Sequence, residues 1–123
     1  MQIFKFGGAS VKNAAAIRNV AKILESYKNE KLVIVVSAMG KSTNALEAIT
    51  DAYFYEKKER NSLFQQFKDF HYHIITELFG VKNHKVRTDI DAVFANIERY
   101  FDKKTQARYN FIYDQIVSSG ELL

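Results

Sequence analysis

The chain has 123 residues, of which 47% are hydrophobic and 26% charged, as is typical of a globular protein with a single core. It contains no cysteine, which excludes disulfides and thiolate metal sites. The net charge is +4, but the lysines are scattered among acidic residues and the aromatic residues keep core spacing, so we expect no nucleic-acid partner. No apolar run approaches the roughly 18 residues of a membrane span and no secretory signal follows Met1, so we expect a cytoplasmic protein without a membrane partner.

The first third of the chain predicts a β-α-β unit. Residues 2–6 have strand character, with Phe4 and Phe6 on one face and Ile3 and Lys5 on the other. Residues 13–28 carry apolar residues at helical spacing, and residues 32–37 predict a second strand whose first five positions are all apolar. Such a strand is typical of a parallel sheet that is covered on both faces. We therefore expect two parallel strands joined by a right-handed crossover.

The rest of the chain predicts four more helices and no further strand. They span residues 43–57 (or 44–57), 62–79, 88–101 and 105–117. Ser62 and Gln65 form a capping-box pattern at one start, and Gly80 predicts the end of that helix. Its inward residues are predicted to be Leu63, Phe67, Phe70, Ile74 and Leu78. Two strands cannot cover five amphipathic helices, so the pattern indicates the front part of a larger α/β domain.

The segment KFGGASV, residues 5–11, carries the strongest chemical signal. An ammonium among the neighbours of a buried strand is costly unless an anion meets it, which makes Lys5 unusual. Gly7 and Gly8 can take φ > 0 and let backbone N–H groups converge on an oxyanion, Ser10 adds a hydroxyl, and the next helix points its positive end there. These features predict a phosphate site. It is not a Walker pattern, whose lysine follows the glycines, and the local alternative is a plain turn with Lys5 reaching solvent.

Two further segments could carry chemistry. SAMGKSTN, residues 37–44, follows the second strand, where ligands bind in open α/β sheets. Its structural alternative is a turn at Gly40 and a helix cap at Thr43. Near the end of the chain, Glu121 could hold a cationic ligand group, but Ser118 and Glu121 also have the spacing of a capping box for another helix.

The histidines do not predict a metal site. His73 and Glu77 are one helical turn apart, a spacing that metal sites use, but His71 and His73 face apart on a helix. With no third ligand nearby, we expect these histidines to be solvated or satisfied by neighbouring groups.

Together, KFGGASV, the VVSAMG segment followed by Thr43 and Asn44, and VSSGEL resemble the motifs of the aspartate kinases in the amino-acid kinase superfamily. The order and spacing agree across the full chain. The resemblance implies a three-layer α/β/α fold, of which residues 1–123 form the N-terminal portion of the catalytic domain. It also implies ATP-dependent phosphorylation of the L-aspartate side-chain carboxylate to 4-phospho-L-aspartate, the first step toward lysine, threonine and methionine.

The resemblance implies a role for individual residues as well. Lys5 is the expected catalytic residue. The positions that match ATP-binding residues are Lys5, Gly7, Gly8 and Ser10. The positions that match aspartate-binding residues are Ser37, Thr43 and Glu121. ATP and Mg²⁺ are the implied cofactors, no residue of this chain is assigned to the metal, and a homo-oligomer is implied for the full-length enzyme.

The chain departs from the family pattern at two positions. Ala9 stands where threonine is commoner, and Ser119 stands where many members have histidine, so Ser119 receives no role. We expect the loops after the two strands to converge. One cleft should then be lined by Lys5, Gly8, Ser37 and Thr43, with Glu121 at its edge. The 123-residue piece alone is expected to be inactive. The alternatives are a non-catalytic ligand-binding or interaction module, or the kinase half of a bifunctional enzyme fused to homoserine dehydrogenase.

Overall fold

The computed structural model describes residues 1–81, 84–102 and 108–123, which form two units, Met1–Lys41 and Ser42–Leu123. Within these residues there are two strands, a short 3-10 turn and five α-helices. In chain order they are β1 (Gln2–Phe6), the 3-10 turn (Gly8–Val11), α1 (Ala14–Glu25), β2 (Leu32–Val36), α2 (Ser42–Phe54), α3 (Arg60–Phe79), α4 (Lys85–Asp102) and α5 (Tyr109–Gly120). The predicted α/β class is confirmed. None of the helices in the described ranges combines the length and apolar character needed to cross a membrane.

The first unit is built on a parallel pair of strands. β1 and β2 pair in register from Gln2 opposite Leu32 to Phe6 opposite Val36. Phe6 is buried, and the Phe4 ring meets the Tyr27 ring edge-on with centroids 4.9 Å apart. The predicted alternation along β1 is therefore confirmed.

The predicted burial of β2 on both faces is wrong for the structure described here. Val33 to Val36 are 41% to 48% exposed, because the sheet has two strands in the described part of the chain and little covers them. Lys5 is exposed as well, so within this unit its ammonium group is not the buried charge that the sequence predicted.

The start of α1 was predicted at Asn13, which serves as its cap. The Asn13 side chain accepts a hydrogen bond of 2.8 Å from the backbone N–H of Ala16, which satisfies one of the free donors of the first turn. The 3-10 turn between β1 and α1 was not predicted, because four residues are too few to show a hydrophobic period.

The second unit consists of α2 to α5 packed around an apolar core. The fully buried members of the cluster come from all four helices: Leu46, Ile49, Phe64, Phe67, Ile75, Ile90, Phe94, Ile97, Phe101, Ile112 and Ile116. α4 contributes four of these residues, more than any other helix. The described part of residues 45–123 contains no strand, in agreement with the sequence prediction.

Several details of the helical unit differ from the prediction. α3 begins at Arg60, and Ser62 lies inside it, where its hydroxyl accepts a hydrogen bond from Gln66 instead of capping the helix. The buried face of α3 includes Phe64 and His71, whereas Phe70 is 38% exposed. Apolar residues occur on more than one side of α3, so the sequence period did not determine which side faces inward.

The prediction was correct for the end of α3 but not for the start of α4 or the end of α5. Gly80 does end α3, with φ of 79° and its N–H bonded to the carbonyl of Thr76. α4 begins at Lys85, before the predicted Thr88. The predicted start of the last helix at Thr105 lies outside the described residues, and its end is at Gly120, beyond the predicted Val117.

Candidate functional site

The turns that follow β1 and β2 are tied together within the first unit. The N–H of Ser37 donates to the carbonyl of Phe6 at 3.0 Å, which extends the ladder past the end of both strands. The N–H of Gly40 donates to the carbonyl of Gly8, also at 3.0 Å. The glycine turn and the segment that begins at Ser37 therefore lie side by side, as the parallel arrangement predicts.

Gly8 is a glycine because two backbones approach closely. A Cβ built on Gly8 would lie 2.6 Å from the carbonyl oxygen of Gly40 and 3.0 Å from that of Ala38. Neither Gly7 nor Gly8 has a positive φ, so the turn does not use the left-handed conformation that a glycine permits. The left-handed residue of this region is Gly40, with φ of 57°, in agreement with its predicted place in a turn.

Gly7 has a different environment. Its backbone is extended, with φ of −73° and ψ of 171°, and a Cβ added there would meet nothing within 4 Å. Lys5 is exposed on the preceding strand, and Ser10 is exposed in the 3-10 turn, where its N–H donates to the carbonyl of Gly7 at 2.9 Å. The backbone beside Lys5 is thus left open to a ligand.

The 3-10 turn separates the N-terminus of α1 from the glycines. α1 begins at Ala14, after the 3-10 turn, and Asn13 already occupies the N–H of Ala16. The helix therefore does not open directly from the glycines, and the N–H groups nearest to them belong to the 3-10 turn.

The second unit contains Thr43 and Glu121. Thr43 is exposed in the first turn of α2, which begins at Ser42, so it is not the N-cap that the structural alternative proposed. Glu121 is exposed directly after α5. Ser118 lies inside α5 and its hydroxyl donates to the carbonyl of Gln115 at 3.1 Å, so the alternative capping box is not formed.

α2 and α5 run antiparallel, which places Thr43 and Glu121 at the same end of the helical unit. At one end of the pair the Tyr109 hydroxyl donates to the carboxylate of Asp51. At the other end Gly120 lies against Leu46, one turn after Thr43. Ser119 is buried beside this contact, and its hydroxyl donates to the carbonyl of Gln115 at 2.8 Å.

The histidines are held by neighbouring groups. His71 is fully buried, and its Nδ1 lies 2.9 Å from the carbonyl oxygen of Phe67, which can only accept. Burial lowers the pKa of His71, and the hydrogen bond to Phe67 opposes that shift in part. His73 and Glu77 form an exposed pair at 2.9 Å. The described residues contain no group of three or more histidines, cysteines or carboxylates placed to hold a metal ion.

Two glycines that shape these regions were not singled out as functional. Gly40 was predicted only as a turn residue, and Gly120 only as part of a motif. A glycine inside a helical pattern is a usable signal, because it costs helix stability unless packing requires it.

Comparison with known proteins agrees with this geometry. The model of the amino acid kinase family matches residues 1–123. Aspartokinase 2 (chloroplastic) of Arabidopsis thaliana is 50% identical over 44 residues, which are 36% of this chain and 8% of that protein. Aspartokinase 2 of Bacillus subtilis (strain 168) is 48% identical over 50 residues, 39% of this chain and 12% of that protein.

A solved structure extends the likeness to almost the whole chain. The crystal structure of E. coli aspartokinase III in complex with aspartate and ADP (R-state) matches with a TM-score of 0.82 and 29% identity, over 99% of this chain and 26% of that one. The chain belongs to the amino acid kinase family. It spans about a quarter or less of the length of each of these relatives.

Proposed function

We propose that this chain supplies the nucleotide-phosphate turn and part of the substrate site of an aspartate kinase. The reaction is transfer of the γ-phosphoryl group of ATP to the side-chain carboxylate of L-aspartate, which gives 4-phospho-L-aspartate and ADP. The observation that carries the proposal is the glycine turn, in which Gly8 is bonded to Gly40 and Gly7 stays open beside the exposed Lys5. The E. coli aspartokinase III structure, which holds aspartate and ADP, supports this choice of reactants.

The glycine turn suits a polyphosphate on physical grounds. Because a Cβ at Gly7 would project into open space, packing inside the unit does not explain the glycine. A ligand whose oxygens approach the backbone does explain it, since a side chain would keep them at a distance. In this proposal Lys5 meets the transferring phosphoryl group with a compact positive charge, and Ser10 adds a hydroxyl donor.

The acceptor chemistry needs few protein groups. The side chain of aspartate is already a carboxylate at neutral pH, so its oxygen attacks the γ-phosphorus without a general base while the bond to the β-phosphate oxygen breaks. The task of the protein is to align two anions and to offset their repulsion. Ser37 and Thr43 offer hydroxyl groups to the substrate, and Glu121 offers a carboxylate to its ammonium group.

Mg²⁺ enters this proposal only with the nucleotide. Magnesium in phosphoryl-transfer sites is held through one or two carboxylates together with substrate phosphates, and the described residues contain no cluster that singles out such ligands. ATP bound with Mg²⁺ would neutralise part of the charge on its phosphates. We assign no residue of this chain to the ion.

The test is ADP release by the complete gene product with ATP, Mg²⁺ and a panel of acceptors. L-aspartate should stimulate ADP release, whereas succinate, which lacks the ammonium group, and L-glutamate, which is one methylene longer, should not. ADP release that is the same with and without L-aspartate would reject the kinase. Nucleotide binding without any turnover would instead favour the non-catalytic module.

A further inference from the structure

The contact between Gly120 and Leu46 determines where the end of α5 lies on α2. A Cβ on Gly120 would be 2.3 Å from Cδ1 of Leu46, well inside contact distance. Leu46 is 1% exposed and belongs to the core of the helical unit. Because that core is closely packed, the methyl group of Leu46 has little room to withdraw.

Conformational freedom does not explain the glycine at this position. Gly120 is the last residue of α5, and its φ is not positive, so any residue could adopt its backbone conformation. Alanine would be the better helix former there. The close packing against Leu46 is therefore the physical reason that the structure gives for a glycine.

The other end of α5 is fixed as well. The Tyr109 hydroxyl donates to Asp51, and the Tyr109 ring meets the Phe54 ring edge-on with centroids 5.1 Å apart. Between the two ends, Ile112 and Ile116 are buried in the core. Because α5 is held along its whole length, the residue that follows Gly120 takes its position from this packing.

We propose that Gly120, through its contact with Leu46, is a positioning residue that sets where Glu121 lies relative to the first turn of α2. The inference rests on the proposed function, in which Glu121 accepts hydrogen bonds from the substrate ammonium. A methyl group at position 120 pushes the end of α5 away from Leu46 and moves the Glu121 carboxylate from its productive position.

The experiment compares Gly120→Ala with the parent in the complete gene product, with thermal unfolding measured for each variant. A displacement of about 1 Å in a binding group can cost about 10²-fold, so we expect kcat/KM for L-aspartate to fall by about that factor while KM for ATP stays within about twofold. Inhibition by succinate should stay unchanged, because succinate has no ammonium group for Glu121. Asn110→Ala, on the exposed side of the same helix, is the matched control and should leave all of these values unchanged.

Two double variants separate positioning from general damage. Leu46→Ala removes the clashing methyl group, so the pair Gly120→Ala with Leu46→Ala should recover most of the lost kcat/KM relative to Gly120→Ala. In a Glu121→Gln background, Gly120→Ala should have little further effect, because the group through which it acts is already gone. If Gly120→Ala does not fold, the double variant with Leu46→Ala is compared with Leu46→Ala alone. The two should have the same kcat/KM for L-aspartate, because the added methyl group no longer meets Cδ1 of Leu46, and a large difference would overturn the proposal.

The proposal is overturned if folded Gly120→Ala keeps the parental kcat/KM for L-aspartate. It is also overturned if the variant impairs ATP and aspartate equally, or if its effect is fully additive with Glu121→Gln. These results leave the proposed function intact. Absence of aspartate-dependent ADP release in the parent protein, in contrast, rejects the proposed function itself.

Discussion

The carbonyl oxygen of Gly8 accepts a hydrogen bond from the N–H of Gly40, and the two backbones are so close that a methyl group on Gly8 would overlap the Gly40 carbonyl. This contact joins the turn after β1 to the turn after β2. It also separates the roles of two adjacent glycines, since Gly7 has open space where Gly8 has none.

Gly8→Ala is expected to destabilise the protein by about 1–3 kcal/mol, because the added Cβ must displace the backbone around Gly40. Gly7→Ala should leave the free energy of unfolding within about 1 kcal/mol, because an extended alanine fits there without a clash. Under the proposed function, Gly7→Ala raises KM for ATP, since its methyl group occupies the space of a phosphate. Denaturant unfolding and ATP titration of the two variants check this contrast, and equal stability of the two would contradict the structural interpretation.

Lys5→Ala should reduce turnover by about 10²–10³-fold, the usual effect of removing one preorganised electrostatic contact. Because Lys5 is exposed, the free energy of unfolding should change by no more than about 0.5 kcal/mol. Lys5→Arg should restore little, since a planar guanidinium does not replace a compact ammonium. Lys22→Ala, on α1, is the control for loss of an exposed lysine. Near-normal kcat in Lys5→Ala would exclude the role.

His71 should make the stability of the protein fall in mild acid. Its pKa is lowered by burial, so below its unfolded value of about 6.5 the unfolded chain binds a proton that the folded chain does not. The neutral His71 side chain makes its full contribution to the free energy of unfolding above that value. This contribution is lost as the pH falls toward the folded pKa, and the free energy of unfolding then changes by at most about 1.4 kcal/mol per pH unit. The Nε2 atom of His71 has no hydrogen-bond partner among the described residues. The centroids of the Phe67 and Phe94 rings lie 4.5 Å and 5.8 Å from the centroid of the imidazole ring.

The acidic groups of α4 that face α3 bond to residues other than His71. Asp91 accepts a hydrogen bond from Tyr72, and Glu98 pairs with Lys68. Urea unfolding between pH 7.5 and pH 5 measures the slope of stability against pH, as the linkage relation requires. His71→Leu should flatten it, whereas His73→Gln, at an exposed position, should not. A slope that survives His71→Leu would assign the acid sensitivity to another group.

The exposed apolar strand predicts association of the 123-residue chain when it is expressed alone. Val33 and Val35 are 41% and 45% exposed on β2, which pairs with β1 on one edge only within the described residues. An apolar strand with one unpaired edge is a site of edge-to-edge contact. Val33→Thr together with Val35→Thr keeps β-propensity and lowers the apolar area, so light scattering should detect smaller species. A parent chain that is already a monodisperse monomer would contradict this prediction.

The sequence predicted the strands and helices more accurately than it predicted which of their faces are buried. The period of two that places Phe4 and Phe6 on one face predicted β1, and the period of 3.6 in its apolar residues predicted α4. On α3, Phe67 and Ile74 are buried as predicted, whereas Phe70 is exposed and Phe64 is buried in its place. Phe64 and Phe70 are equally apolar, and packing against α2 and α4 selects Phe64. The sequence also implied cover for β2 that the described residues do not provide.

In the candidate site, too, the sequence predicted the segments but not the contacts between them. The motif around Gly8 predicted backbone N–H groups that converge on an oxyanion, whereas the structure shows that the close backbone of Gly40 and Ala38 requires a glycine at position 8. The partner of Gly8 is about 30 residues away in the sequence, so the hydrogen bond to Gly40 is a tertiary contact that a local pattern does not predict. The contact of Gly120 with Leu46 joins α5 to α2, and the local sequence pattern did not predict it either.

The central proposal is phosphorylation of the side-chain carboxylate of aspartate, and hydroxylamine trapping tests it most directly. An acyl phosphate reacts with hydroxylamine to give a hydroxamate, which mass spectrometry can assign to one carboxylate. With ATP, Mg²⁺ and L-aspartate, the complete gene product should yield the side-chain hydroxamate in amounts that match ADP release, and Lys5→Ala should yield almost none. ADP release with no hydroxamate, or a hydroxamate on the α-carboxylate, would contradict the proposal.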